Sequence, residues 1–337
     1  MIIQTPERVD IDSLTWRAAN PADLPAVHAL FLAAAAGEPH SFLPSLEDLK
    51  REFDDQWSPP ATNTWLAQWP DGSLAAYGRI IANPEPEEQG RAFLDIDVHP
   101  DFEGGPVEEK LVDWLIWRGN EVLRPIVAAH PGLEPAILRF GCWDQRADRI
   151  RGYERRGFRP ARHFYRMRRD LNEPIPDRPL PEGLEWRNYS LEIDERLRLA
   201  DNEAFLDHWS HEPISANDWQ QFIVGRESFR ADLTWAVMDG DEVAAFSLNR
   251  FDPEEAEREG SRPGWIGSLG TRRPWRKRGL ASALLVKSMR TFKEEGLDYA
   301  VLGVDAQNPT GALGLYEGLG FVVVKSTIAY EKRAGPF

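Results

Sequence analysis

The densest group of basic residues in this chain lies just before a predicted helix. Five of the seven residues from Arg272 to Arg278 are arginine or lysine, although the net charge is −15. Gly279 and Ala281 follow at the start of the helix. The first amides of a helix lack intrahelical acceptors and the helix dipole is positive there, so this loop has the chemistry to bind a phosphate. A solvated basic turn is the alternative interpretation.

The loop has a pattern of its own. It contains neither the GxxxxGK[ST] sequence of a P-loop nor the three glycines of a dinucleotide fingerprint. Instead, Arg276-x-x-Gly279-x-Ala281 resembles the pyrophosphate loop of the GCN5-related N-acetyltransferase (GNAT) family, Gln/Arg-x-x-Gly-x-Gly/Ala. The segment 308-NPTGALGLYEGLGF-321 resembles the family's second signature, Asn-x-x-x-Ala-x-x-x-Tyr-x-x-x-Gly-Phe. The two signatures are separated as in the family, and the resemblance covers residues 184–333.

The resemblance implies an acetyl-CoA-dependent N-acetyltransferase that acts on the amine of a small molecule or peptide. Tyr316 would be catalytic, protonating the departing CoA thiolate, for which a phenol of pKa ~10 is suited. Packing of Tyr316 against Phe321 is the alternative role. The residues that match the family's acetyl-CoA-binding positions are Leu269, Gly270, Thr271, Arg276, Lys277, Arg278, Gly279, Leu280, Ala281 and Asn308.

The general base is left open by the sequence. The strand 265–271 contains no Glu, although the family often places the base there. The candidates are Asp305, Glu203, Asp207, His208 and His211. Each could equally be a cap or a surface group. Because GxSxG is absent and the single cysteine, Cys142, lies in the other half of the chain, we expect direct attack of the amine on the thioester.

The chain also carries an internal repeat. The segment 153-YERRGF-158 returns as 316-YEGLGF-321, and 65-WLAQWPDGSLAAYG-78 resembles 235-WAVMDGDEVAAFS-247, each with a turn signal between apolar runs. Both halves read as β-α-hairpin-β-α-β-α-β, which predicts a mixed α/β, or α+β, fold. The predicted domains are a GNAT-like domain over 1–170, a proline-rich linker over 171–183 and a catalytic GNAT domain over 184–337. A long surface loop is the alternative for the linker.

The first half lacks the residues that would hold a pyrophosphate. Aligned on the family pattern, Glu103 replaces the leading Gln/Arg, Pro106 the first glycine and Glu108 the closing Gly/Ala. Two carboxylates repel a phosphate and proline removes an amide donor. We therefore expect a degenerate domain that helps to shape the acceptor cleft or an oligomer contact, or one that binds a different ligand.

Composition narrows the remaining possibilities. The net negative charge of the chain disfavours general nucleic-acid binding and would suit a cationic ligand such as an amine. A single cysteine excludes an internal disulfide or a multi-cysteine metal site, and no metal is expected. The first residues lack a signal-peptide pattern and no apolar run is long enough to span a membrane, so we expect a cytoplasmic protein. A homodimer is a possible oligomeric state. The rival functions are a non-catalytic acyl-CoA sensor or structural protein, and transfer to a hydroxyl or from a longer acyl-CoA.

Overall fold

The computed structural model describes residues 11–38, 43–55, 57–308 and 311–335. Residues 1–10, where no signal peptide is predicted, and Pro309 and Thr310 of the second signature lie outside this set. Within it, no helix is both long enough and apolar enough to cross a membrane.

The chain packs into two compact units. Unit 1 combines the chain up to Ala161 with the segment from Ile328 onward, and unit 2 comprises Arg162–Thr327. The domain ranges 1–170, 171–183 and 184–337 come from the sequence pattern alone, and they stay a prediction. The compact units are defined by packing, which assigns residues 162–170 to unit 2 and the last strand residues, 328–333, to unit 1.

Unit 1 is a sheet with helices on both faces. Its elements are β1 (Thr15–Arg17), α1 (Leu24–Ala35), α2 (Leu46–Phe53), α3 (Pro60–Asn63), β2 (Thr64–Gln68), β3 (Leu74–Ile81), β4 (Gln89–Val98), α4 (Pro106–Ala129), β5 (Glu134–Trp143), α5 (Ala147–Arg155) and the start of β6 (Arg159–Asp170). The strand order is β1-β2-β3-β4-β5, antiparallel except for the parallel pair β4 and β5. Alternate strand residues pack against α4 on one face and against α1 and α2 on the other, as the period-two pattern of a two-sided sheet requires.

Unit 2 repeats this plan. Its elements are β7 (Glu185–Asn188), α6 (Asp194–Phe205), α7 (Ala216–Trp219) with a π-helical turn at Gln220–Val224, β8 (Trp235–Asp239), β9 (Glu242–Arg250), α8 (Pro253–Glu259), β10 (Pro263–Thr271), α9 (Leu280–Glu294), β11 (Tyr299–Asp305), α10 (Ala312–Gly318) and β12 (Val322–Arg333). The strand order is β7-β8-β9-β10-β11-β6. β10 and β11 are parallel, whereas the other pairs are antiparallel.

The elements predicted from the sequence are present, including the two hairpins, β2 with β3 and β8 with β9. The helix that follows the basic loop buries one face, which includes Leu284, Leu285 and Met289, in the core of unit 2. α4, the longest helix of the described structure, runs from Pro106 to Ala129 and contains Pro125. The repeat therefore places a strand-to-helix loop at the same point of each unit: β4 to α4, and β10 to α9.

Candidate functional site

The centre of unit 2 contains a strand edge with no neighbour. β10 pairs with β11 only from Pro263 to Ile266, whereas its other edge stays paired with β9 as far as Thr271. The register on the β9 side shifts between Ile266 and Ser268. In the described structure, residues 267–271 therefore have one backbone edge without a strand partner, and this edge contains the predicted Leu269, Gly270 and Thr271.

Gly270 is also required by packing. A Cβ atom at this position would lie 2.2 Å from Cζ of Phe246 and 3.0 Å from Cβ of Ala204. Its missing side chain thus makes room for a core aromatic residue, a reason that the sequence did not reveal.

The loop from β10 to α9 has the open backbone of an anion site. Gly279 is the N-cap of α9 with φ +83, and no atom lies within 4 Å of where its Cβ would be. Lys277 also has a positive φ, of 62, which a residue with a side chain rarely adopts. No hydrogen-bond acceptor is found among the described residues for the amides of residues 277–282, including those of Leu280 and Ala281. These amides lie at and just before the N-terminus of α9, where the helix dipole is positive.

Three of the basic residues hold this loop in shape. The Arg276 guanidinium donates to the carbonyl oxygens of Thr271 and Ala204 at 3.1 and 3.0 Å and to the Asp207 carboxylate at 2.8 Å. Arg273 donates to the same carboxylate at 2.5 Å. Arg272 is paired with Glu203 at 2.7 Å and with Glu242.

The other two basic residues remain available. Lys277 and Arg278 are exposed, and within the described ranges neither forms an ion pair or a hydrogen bond. Two exposed cations beside open amides can bind phosphate oxygens.

These ion pairs bear on two of the candidate bases. Hydrogen bonds from Arg273 and Arg276 lower the pKa of Asp207 to about 2, and Glu203 is the partner of Arg272. Both carboxylates act here as anchors of the loop.

The remaining candidates lie near the end of β11 and after α6. Asp305 accepts a hydrogen bond from the Gln307 amide at 2.9 Å and lies 3.7 Å from the Arg162 guanidinium. Burial, followed by the neighbouring His211, lowers the pKa of His208, whose ring contacts Phe205.

The structure also shows a carboxylate that the sequence analysis overlooked. Asp201 on α6 accepts a hydrogen bond of 2.7 Å from the Ser268 hydroxyl, next to the β10 irregularity. Burial raises the pKa of Asp201 to about 6, and the bond from Ser268 opposes that rise. A carboxylate with this pKa is suited to accept a proton near neutral pH. In the sequence Asp201 is an ordinary helical acid, so only its tertiary contact with β10 distinguishes it.

Tyr316 lies on α10, where burial raises its pKa to about 12. Its ring centroid is 6.0 Å from that of Phe321, so the packing role considered above is present. Its hydroxyl forms no hydrogen bond with any described residue. Asn308 lies in the turn after β11, where its backbone amide donates to the backbone carbonyl of Asp305 at 3.0 Å.

The corresponding loop of unit 1 is closed by its own side chain. Glu108 is 4% exposed, and its carboxylate accepts the Gly104 amide at 2.7 Å and pairs with Arg149 at 2.5 Å. A carboxylate thus takes the place of an anionic ligand at the start of α4. The sequence alignment matched Pro106 with Gly279, which is wrong by one residue. In the structure Gly105 is the N-cap that corresponds to Gly279, and Pro106 is the first residue of the helix.

Tyr153 is the unit 1 counterpart of Tyr316. It is fully buried, stacks on Phe140, and its hydroxyl has no hydrogen-bond partner among the described residues. Burial raises its pKa well above the ordinary value.

Cys142, in the same core as Tyr153, is also buried. No cluster of His, Cys, Asp and Glu that could hold a metal occurs in the part of the chain that the structure covers.

Sequence comparison relates most of the chain to known enzymes. The pattern of the acetyltransferase (GNAT) family matches residues 194–321. The mycothiol acetyltransferase of Salinispora tropica is 32% identical over 312 residues, covering 89% of this chain and 91% of that protein. The mycothiol acetyltransferase of Thermobispora bispora is 28% identical, covering 93% of this chain and 97% of that protein.

Solved structures agree on the fold. A GCN5-related N-acetyltransferase from Sphaerobacter thermophilus matches with a TM-score of 0.71 at 27% identity, covering 96% of this chain and 97% of that one. A tandem GNAT protein from the clavulanic acid biosynthesis pathway matches with a TM-score of 0.67 at 15% identity, covering 96% and 99%. At that identity the second match supports the tandem fold alone.

Proposed function

Because the chain belongs to the acetyltransferase (GNAT) family, we propose that unit 2 transfers the acetyl group of acetyl-CoA directly to the amine of an acceptor. The observation that carries the proposal is the combination of the open β10 edge with the loop that follows it. The pyrophosphate would bind the free amides of residues 277–282 with Lys277 and Arg278, and the pantetheine arm would pair with the backbone of residues 267–271. Asn308, in the turn after β11, would contact the same substrate.

The roles of the basic residues differ in this proposal. Arg276 holds the loop through Asp207 and the Thr271 carbonyl, so it acts on binding by positioning the amides. Lys277 and Arg278 supply the charge that meets the phosphates.

Two groups would handle the protons. The neutral amine attacks the thioester carbonyl carbon, so that a C–N bond forms and the C–S bond breaks. Asp201 would take the amine proton through the Ser268 hydroxyl, which passes its own proton to the carboxylate. Tyr316 would donate its phenolic proton to the sulfur of the departing CoA, in line with the absence of a competing hydrogen bond from its hydroxyl to any described group.

Unit 1 has a different role. With Glu108 bonded to the loop amide of Gly104, a pyrophosphate would have to displace a buried carboxylate that is paired with Arg149. We therefore propose one acetyl-CoA site for each chain, in unit 2.

A charge-reversal pair tests the location of this site. Acetyl-CoA binding is measured by calorimetry for wild type, for the double variant Lys277→Glu with Arg278→Glu, and for a control with the same charge change on α9, Arg290→Glu with Lys293→Glu. Since a hydrogen bond to a charged group contributes ~1.5–3 kcal/mol, the loop variant should lose at least about 100-fold in affinity. The control should stay within about threefold of wild type.

Two results would overturn the proposal. Equal weakening of both double variants would show that only long-range charge matters and that the loop is not the site. Tight acetyl-CoA binding without release of CoA in the presence of any amine would favour an acyl-CoA sensor.

A further inference from the structure

A cavity lies beside the proposed transfer site within unit 2. It encloses about 320 Å³ between the π-helical turn after α7 and strands β9 and β10. Gly267 and Ser268, at the start of the open β10 edge, form part of its wall. Because Ser268 also bonds to Asp201, the cavity adjoins the group proposed to take the amine proton. Its volume is at the small end of ligand pockets, which indicates a small acceptor.

The charged side chains that line this cavity are cationic, and the other polar ones, Ser228, Asn249 and Ser268, are neutral. Arg226 and Arg250 both line it. The Arg250 guanidinium lies 4.4 Å from the ring centroid of Trp265, and that of Arg166 lies at the same distance from this ring. The buried carboxylate beside them, Glu255, accepts a hydrogen bond from the Trp265 indole at 2.8 Å. A second buried carboxylate, that of Asp252, also acts on Arg250, so two buried carboxylates and three guanidinium groups share this region.

The electrostatic consequence is visible at Arg250. Burial lowers its pKa to about 10, the carboxylates of Glu255 and Asp252 oppose this effect, and the charges of Arg226 and Arg166 add to it. A guanidinium that is held among others of the same sign is stabilised by an anion that enters the cavity.

A buried hydroxyl group supplies a second, independent indication of a ligand. Ser228 lines the cavity, is 5% exposed, and its hydroxyl oxygen has no hydrogen-bond partner in the described structure. Leaving such a group unsatisfied is costly, and an oxygen atom of a ligand would satisfy it. The rest of the wall is largely apolar, with Phe222, Ile223, Phe229 and Leu248.

We propose that this cavity selects an acceptor that carries a carboxylate as well as the amine, together with a compact apolar body. The carboxylate binds Arg226, Arg250 and the Ser228 hydroxyl, and the apolar part lies against Phe222 and Phe229. This inference rests on the proposed function, because it places the acceptor in the same reaction. It also differs from the expectation drawn from the net charge, since the cavity wall is positive although the chain is acidic.

Binding of two matched probes tests the cavity without any turnover. The probes are 3-phenylpropanoate and its neutral amide, 3-phenylpropanamide, titrated by calorimetry into the full chain in the presence of CoA. We expect the carboxylate to bind at least about tenfold more tightly than the amide, as charge-assisted hydrogen bonds imply. Arg226→Met and Arg250→Met should each remove most of this preference, and the control Arg290→Met on α9 should keep it.

A turnover experiment connects the cavity to catalysis. CoA release from acetyl-CoA is followed with L-phenylalanine, L-phenylalaninamide and phenethylamine, and we expect the highest kcat/KM for L-phenylalanine. Equal binding of the two probes, or a preference that survives in both arginine variants, overturns the inference. If the protein acetylates amines that lack a carboxylate and shows no preference for carboxylates, the acetyltransferase proposal stands and only the cavity inference is refuted. Carboxylate preference without acetylation of any amine would support the cavity assignment and refute the proposed function.

Discussion

The two tyrosines at matching positions of the repeat allow the catalytic proposal to be tested with one chemical change. Tyr316→Phe removes a hydroxyl group that forms no hydrogen bond in the described structure, and it keeps the ring that packs near Phe321. We therefore expect the free energy of unfolding to change by less than about 0.5 kcal/mol, as for a change that breaks no buried contact. Any loss of rate would then be a loss of proton donation.

The size of that loss follows from the setting of the hydroxyl. Removing a general acid costs about 10²- to 10⁴-fold in rate. Burial raises the pKa of Tyr316 to about 12, which makes it a weaker acid than a free phenol, so its donation helps less. We expect kcat to fall by about 100-fold, or about 3 kcal/mol of transition-state stabilisation, with unchanged acetyl-CoA affinity.

Tyr153→Phe is the matched control. The Tyr153 hydroxyl is enclosed and, among the described groups, has no partner, so its removal should relieve a desolvation cost of about 1 kcal/mol and raise the Tm by about 2–4 °C. Activity should not change. The assay is release of the CoA thiol with an amine that wild type acetylates, with substrate concentrations varied to separate kcat from KM. If Tyr316→Phe keeps kcat within about threefold in single-turnover conditions, Tyr316 is a packing residue and the reasoning fails.

Three further predictions concern the loops and the base. Gly279→Ala should weaken acetyl-CoA binding by about 5- to 30-fold, because the left-handed conformation costs a residue with a Cβ atom about 1–2 kcal/mol. The control is Gly72→Ala, at a glycine of similar φ in unit 1, which should leave binding unchanged in the same titration. Glu108→Gln should destabilise the protein by about 3 kcal/mol in denaturant unfolding, because it leaves the buried Arg149 without its anion, and calorimetry should detect no second acetyl-CoA site. For Asp201, kcat/KM should rise with pH through about 6 as the carboxylate ionises, and Asp201→Asn should lower kcat/KM and abolish this rise in a pH–rate profile; a profile unchanged in the variant would rule out Asp201 as the base.

The fold was predictable because its signals are local. Helix and strand periodicities, the hairpin turns and the two signatures lie within short stretches, and the structure has the corresponding elements in both halves. The repeat also pointed to the strand-to-helix loop as the place to compare. Only the register of that comparison was wrong, because Pro106 fits the first helical turn and leaves the N-cap position to Gly105.

The roles of the charged residues were less accessible, because an ion pair depends on groups far apart in the sequence. The run from Arg272 to Arg278 gives five cations, but nothing in the run distinguishes the three that anchor the loop from Lys277 and Arg278. The distinction comes from Glu203 and Asp207, which α6 brings to the loop. Two candidate bases and three of the five cations are thus parts of the same anchoring network.

The acceptor side shows why overall charge is a poor guide to a ligand. Most acidic side chains are distributed over the surface, where water and salt screen them, so their sum has little influence inside a small cavity. There the dielectric is lower, and the nearest few groups decide which ligand charge is favoured. Arg226 and Arg250 lie on a loop and on β9, and Ser228 becomes informative only because the fold buries its hydroxyl without a partner in the described chain. This difference between local and total charge is why the proposed acceptor can carry a carboxylate although the chain is acidic.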